Sequence, residues 1–308
     1  MDQWTWFIIL QTMLKTAISV LVTTYNEELH LEACLASVAG WVDEIFVVDS
    51  FSSDRTLDIA RHFGAHTIKH PFEGHARQKN WALDHCPFAH EWVLILDADE
   101  RVSPALQEEI QKLIENEGSG CDGFYLNRRL MFYGRWMRHS GWYPIWNLRL
   151  FRHRKGRYED RPVDEHLVLN GRSGKCFNDL IHEDIRDMAC WIAKHNRYSS
   201  YNAEVYRGIL QDKPGAGIQP SLFGNQAERK RFVKERLWPH LPGRALLYFF
   251  YLYFFRLGLL DGKEGFVFCL MHAIFEEFNT IKLWEIMNYK DGAAPGSIVV
   301  PLASQKKV

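Results

Sequence analysis

Trp92-Val93-Leu94-Ile95-Leu96-Asp97-Ala98-Asp99-Glu100 joins an apolar run to three acidic residues. The unbroken run, with β-branched Val93 and Ile95, reads as a strand buried on both faces. A strand ending in Asp-x-Asp places carboxylates at the carboxyl edge of a sheet. Open α/β folds bind ligands there, and a hard divalent cation can be held there beside a substrate phosphate. An Asp-rich turn that caps a helix is the other reading, and this stretch alone leaves both open.

The flanking sequence repeats the pattern. Ala17 to Thr23 reads as a first buried strand, followed by Thr24-Tyr25-Asn26-Glu27-Glu28 and a helix with Leu31, Leu35 and Val38 on one face. Ile45-Phe46-Val47-Val48 is a second strand ending at Asp49. Ser50, Ser52, Ser53 and Asp54 then supply turn and cap chemistry for a helix that Gly64 stops. A short strand at Thr67 and Ile68 and a helix from Arg77 to Leu83 lead into the strand at Trp92. Strands alternating with helices predict a largely parallel sheet with right-handed crossovers, so Asp49 and Asp97 should face one crevice. Neither G-x-G-x-x-G nor G-x-x-x-x-G-K-[ST] occurs, so phosphate charge must be met by other means, for which a metal on Asp97-Ala98-Asp99 is the obvious choice.

Composition is that of a globular chain: 308 residues, 47% hydrophobic and 24% charged, with a formal net charge of −1. The near-neutral charge gives no global reason to expect nucleic acid. Cys34, Cys86, Cys121, Cys176, Cys190 and Cys269 show no C-x-x-C pair or dense disulfide spacing, which suits reduced thiols in a cytoplasmic setting. Residues 1–12 read as an extension or interfacial segment, because no basic residue precedes the apolar Trp4–Leu10 run and no clear cleavage site follows.

Thr24-Tyr25-Asn26-Glu27, Val47-Val48-Asp49-Ser50 with Ser53-Asp54, and Asp97-Ala98-Asp99 together resemble the inverting family-two glycosyltransferases of GT-A fold. Ala76-Arg77-Gln78-Lys79-Asn80, Leu96 to Glu100 and Leu260-Asp261-Gly262 are similar to lipopolysaccharide core β-glucosyltransferases. The resemblance implies an α/β nucleotide-sugar-binding fold over residues 13–215. In it Asp49 contacts the uracil or ribose of a UDP-sugar, Thr24, Tyr25 and Glu27 frame the base, and Arg77 and Lys79 lie near the diphosphate. Many relatives carry a second Asp where this chain has Ser50. The resemblance further implies Mg²⁺ or Mn²⁺ on Asp99, assisted by Asp97 and by the late His182. It also aligns Val163-Asp164-Glu165 with the motif of the catalytic base, so that Glu165 is the base and Asp164 its competitor. A catalytically silent nucleotide-sugar or lipid-binding protein of the same fold is the alternative.

Between these motifs, Ser103-Pro104 predicts an N-cap with proline at N1 of a helix reaching Gly118. Strands are expected at Gly123–Arg129 and Asn147–Arg152. Trp136, Trp142, Tyr143 and Trp146 are either an acceptor wall or ordinary core. After a helix from Trp191 to Arg207 and a break at Lys213–Gly217, residues 216–308 read as a helical extension. Arg229, Lys230, Arg231, Lys234 and Arg236 precede Ala245–Phe255, in which seven of the eight residues from Tyr248 are aromatic. Basic residues followed by short aromatic helices suggest a surface seated in the headgroups of an anionic leaflet; a helical pair buried on the catalytic domain is the competing reading. The expected setting is peripheral, on the cytoplasmic face of the inner membrane, with a lipid-linked or lipopolysaccharide acceptor as partner.

Overall fold

The computed structural model describes residues 15–159, 166–210, 223, 238 and 241–289. They fall into two compact units, one built on residues 15–138 and 142–185, the other on 139–141 and 186–289.

The first unit begins with β1 (Thr16–Thr24), α1 (Leu31–Ala36), β2 (Val42–Asp49), α2 (Thr56–His62), β3 (His66–Lys69), α3 (His75–His85) and β4 (Trp92–Asp97). These four strands are parallel in the order β3-β2-β1-β4. Their apolar runs are continuous because both faces are covered: Leu94 and Leu96 join one core cluster with α1, while Val93 and Ile95 join another with α3. Register fixes the edge, pairing Thr24 with Asp49 and Thr23 with Asp97, so the two acidic strand ends flank the end of β1.

The second half of the sheet departs from the parallel pattern. After β5 (Glu100–Val102) and α4 (Pro104–Glu115) come β6 (Gly123–Phe132), β7 (Arg135–Trp136), β8 (Trp146–Arg152), the small hairpin of β9 (Gly156–Tyr158) and β10 (Leu167–Leu169), and β11 (Ser173–Glu183). The order continues β4-β8-β6-β11-β5, with β8 antiparallel to both β4 and β6 and β5 antiparallel to β11. The β5 to β11 pairing sets His182 opposite Glu100.

Local signals behave as their chemistry dictates. Ser103 Oγ accepts from the Leu106 N–H, Pro104 holds the first helical position, and Gly64 ends its helix at φ +70°. Helix α4 stops at Glu115, short of the expected Gly118. That glycine instead takes φ +73° with Trp92 packed so closely that a Cβ would lie 2.5 Å from its ring.

The second unit contains α5 (Met188–Leu210), α6 (Arg244–Phe250), a π-type turn (Tyr251–Phe255), a 3₁₀ turn (Gly258–Asp261) and α7 (Gly262–Tyr289). Ala203 and Tyr206 of α5 pack with Leu283 and Ile286 of α7. This packing places α5 with the helical unit, so the division falls after Ile185 rather than near residue 215, a position outside the described residues. No single described helix is long and apolar enough to cross a membrane; Arg244–Phe255 and Gly258–Tyr289, bent by 72°, meet the length and composition test only as a pair.

Candidate active site

The two acids of Asp97-Ala98-Asp99 have different surroundings. Asp97 Oδ1 lies 2.7 Å from Lys79 Nζ on α3, and its Oδ2 lies 2.5 Å from Arg149 Nη2 on β8. Arg149 also reaches Glu100 Oε1 at 2.9 Å, and the second Glu100 oxygen accepts from the Asp97 backbone N–H. The low-dielectric surroundings alone would raise the Asp97 carboxyl. Arg149 and Lys79 outweigh them and hold it well below the ordinary carboxylate range. Glu100 has the opposite balance: burial, reinforced by the Asp97 charge, raises it despite Arg149. Lys79 remains a cation at neutral pH because Asp97 overcomes the lowering effect of burial.

Asp99 turns to the other side, where its Oδ2 lies 3.2 Å from His182 Nε2. Its backbone carbonyl accepts from the Glu183 N–H, tying the turn to the end of β11. His182 Nδ1 is buried with no hydrogen-bond partner. Both oxygens of Asp97 are thus engaged by cations, while Asp99 and His182 make an oxygen–imidazole pair. Among the described residues no group of three or more His, Cys, Asp or Glu side chains gathers around one point. Mg²⁺ and Mn²⁺ commonly take one or two protein ligands and complete an octahedron with phosphate and water, so Asp99 and His182 fit such an ion.

Asp49 is fully buried and serves its own turn. Its Oδ1 accepts from Thr24 Oγ1 at 3.0 Å and from Ser52 Oγ at 2.5 Å, and its Oδ2 accepts from the Ser52 N–H at 2.8 Å. Ser50, the departure noted in the sequence, accepts from Gln78 Nε2 at 2.7 Å. The loops after β1 and β2 are stitched reciprocally: Asn26 N–H donates to Ser52 Oγ, Ser53 N–H to Asn26 Oδ1, and Glu27 N–H to Thr56 Oγ1. Thr24 is buried in this network, whereas the Tyr25 ring is about half exposed. Glu27 Oε2 lies 2.8 Å from His30 Nδ1, and His30 Nε2 lies 3.3 Å from Asp184, so the loop is also tied to the segment after β11. Arg77 is exposed on α3, while Lys79, two residues on, is buried against Asp97 and the Tyr158 ring. Asp164, Glu165 and the basic cluster from Arg229 to Arg236 lie outside the described residues.

Arg149 and Glu100 are the members of this site that the sequence reading passed over. Their signal was present: Arg149 interrupts the apolar run Leu148 to Phe151, and a guanidinium inside a buried strand requires a carboxylate partner. A shallow recess of about 560 Å³ lined by Asp84, His153, Arg154, Lys155 and Arg157 shares no residue with the site. It lies toward the opposite end of β4, where the His153 N–H donates to the Glu91 carbonyl.

Residues 19–167 match the family model described as glycosyl transferase family 2. The lipopolysaccharide core biosynthesis glycosyltransferase LpsC of Rhizobium meliloti (strain 1021) is 29% identical over 279 residues, covering 88% of this chain and 93% of that protein. An uncharacterized glycosyltransferase of Rickettsia typhi is 25% identical over 281 residues, covering 87% of each. Among solved structures, residues 1–349 of Staphylococcus aureus TarS in complex with UDP-GlcNAc superpose with a TM-score of 0.42 at 14% identity, covering 91% of this chain and 93% of that one.

Proposed function

From the match of residues 19–167 to the glycosyl transferase family 2 model, we propose that the chain transfers a hexose from a UDP-sugar, with inversion, to a lipid-linked or lipopolysaccharide-core acceptor. The supporting observation is the split of the Asp97-Ala98-Asp99 turn, with Asp97 locked by Lys79 and Arg149 and Asp99 presented to His182. The full-length similarity to LpsC, a lipopolysaccharide core biosynthesis glycosyltransferase, favours the envelope acceptor.

Asp99 and His182 would hold Mg²⁺ or Mn²⁺, which when bound supplies positive charge against the leaving diphosphate. Asp97, already saturated by its two cations, fixes the turn so that Asp99 is aimed without searching rotamers. Asp49 acts on the donor through the rigid Thr24–Ser52 turn that it organises, and the half-exposed Tyr25 ring at that turn offers a face to the base. Glu165 accepts the proton of the attacking hydroxyl, with Asp164 as the competing base. Inversion in a single displacement requires no covalent intermediate on the chain.

The helical unit supports a peripheral seat on the cytoplasmic face of the inner membrane. Leu246, Phe250, Tyr251, Phe254 and Phe255 are exposed together on α6 and the turn that follows. Incubation with Mn²⁺ and a panel of UDP-sugars, reading free UDP with and without a lipid acceptor extract, tests the proposal. Acceptor-stimulated UDP release from at least one donor is expected. Absence of donor binding and turnover across the panel sinks it, and binding without turnover means a silent member of the fold.

A further inference from the structure

Strands β6 and β11 carry a second cluster on the face of the sheet opposite His182. Asp179 on β11 is buried and accepts from Asn127 Nδ2 at 2.7 Å, from Arg129 Nε and Nη2 at 3.1 and 2.9 Å, and from Tyr143 Oη at 3.1 Å. The Arg129 guanidinium so fixed lies 4.3 Å from the centre of the Trp136 ring, and Arg138 lies 5.4 Å from it. Tyr143 packs edge-on against the same indole at 4.9 Å. A guanidinium stacked on an aromatic face loses little entropy when it binds, and its planar fork matches a phosphate or carboxylate.

Two features of the cluster call for a ligand. The Trp136 indole N–H is buried with no acceptor. Buried donors are almost always paired, so this one marks where an acceptor atom is missing. Arg138 is exposed and makes no ion pair among the described residues, which leaves its charge available. Asp179 and His182 are three residues apart on β11, roughly 10 Å along the strand, with their side chains on opposite faces of the sheet.

We propose that Arg129, Trp136 and Arg138 form an acceptor subsite that recognises an anionic group, a phosphate or a carboxylate, on the acceptor glycan. The inference rests on the glycosyltransferase reading and names the acceptor class for it. Asp179 sets the geometry of Arg129, the indole N–H offers one hydrogen bond, and Arg138 closes on the anion from the solvent side.

The test is calorimetric titration of the full chain with a deacylated lipopolysaccharide-core oligosaccharide in three forms: intact, dephosphorylated and carboxyl-reduced. Wild type should bind the intact form at least tenfold more tightly than the form stripped of the recognised group, and which form weakens tells phosphate from carboxylate. Arg138→Gln, at an exposed position, should remove that discrimination, and Trp136→Phe, which keeps a smaller aromatic face and deletes the N–H, should reduce it about threefold. Binding of all three forms within twofold, no binding of any, or an Arg138→Gln protein that still discriminates overturns the subsite. UDP-sugar turnover measured on the same samples separates the two claims: charge-dependent oligosaccharide binding without donor turnover retains the subsite and sinks the transfer reaction.

Discussion

Both units bury charge, but the sheet unit exposes aromatic rings singly, at Tyr25, Phe51, Tyr133 and Phe177, whereas the helical unit gathers Phe250, Tyr251, Phe254 and Phe255 in one short segment. In the sheet unit, Asp97, Lys79, Arg149 and Glu100 form a closed set at the strand ends, and the apolar side chains of β1, β2 and β4 are nearly all buried. In the helical unit, Glu276 gathers Trp238 Nε1, Arg244 Nε and Asn279 Nδ2 inside, while Phe255 is 80% exposed and Leu246 62%. Water penalises the second arrangement unless something else covers the rings. The sheet unit thus stabilises itself with the same ion pairs that shape its site, whereas the helical unit leaves about half or more of the Phe250, Tyr251, Phe254 and Phe255 rings in water. Changes in the two regions should therefore separate into losses of chemistry, of stability and of attachment.

The largest effect belongs to chemistry alone. Glu165→Gln should reduce transfer by about 100- to 10,000-fold while UDP-donor affinity and vesicle binding stay unchanged; retained transfer moves the base to Asp164. Stability is the next contrast. Arg149→Met leaves Asp97 and the fully buried Glu100 without their shared cation and should cost about 3–5 kcal/mol in urea denaturation. A loss below about 1 kcal/mol would show that the set is not a stabilising lock.

Attachment should move independently of both. Replacing Tyr251, Phe254 and Phe255 by Ser should lower co-sedimentation with anionic vesicles at least tenfold and leave thermal stability within a few degrees of wild type. Unchanged sedimentation with a lowered melting temperature would make these rings core after all.

The last contrast is in pH dependence, where the two units respond in the same sense but over different windows. Burial, helped by His195, pushes His272 on α7 down to about 3, so the folded unit keeps it neutral while the unfolded chain protonates it near pH 6.5. Unfolding then takes up a proton, and the stability of the helical unit should fall by up to about 1.4 kcal/mol per pH unit between about pH 6 and 4. Asp97 responds in the same sense at lower pH: its folded value is depressed, so its contribution is present above about pH 4 and is lost as pH falls through the lowered folded value. Hydrogen exchange corrected for intrinsic rates should show α7 losing protection from pH 6 to 4 while β4 keeps it. Equal loss in both elements would contradict the assignment.

Much of the sheet unit was legible because its signals are local. Two-faced burial writes unbroken apolar runs into β1, β2 and β4, and Ser103-Pro104 and Gly64 mark helix ends through backbone chemistry confined to a few residues. The site was legible only in part. Arg149 reaches Asp97 across 52 residues, and His182 meets Asp99 because β5 pairs antiparallel with β11. Hydrophobic periodicity carries no information about which distant strands pair, so neither contact has a local signature. For the same reason the antiparallel insertion of β8 went unseen while the strand itself was expected.

The most direct test of the split acidic turn is calorimetric titration of UDP into wild type, Asp99→Asn and His182→Ala with and without Mn²⁺. Wild type should bind UDP at least tenfold more tightly with Mn²⁺, and each substitution should abolish that gain while leaving metal-free affinity and melting temperature nearly unchanged. A Mn²⁺-dependent gain that survives both substitutions would contradict the assignment of Asp99 and His182 as the pair that holds the ion.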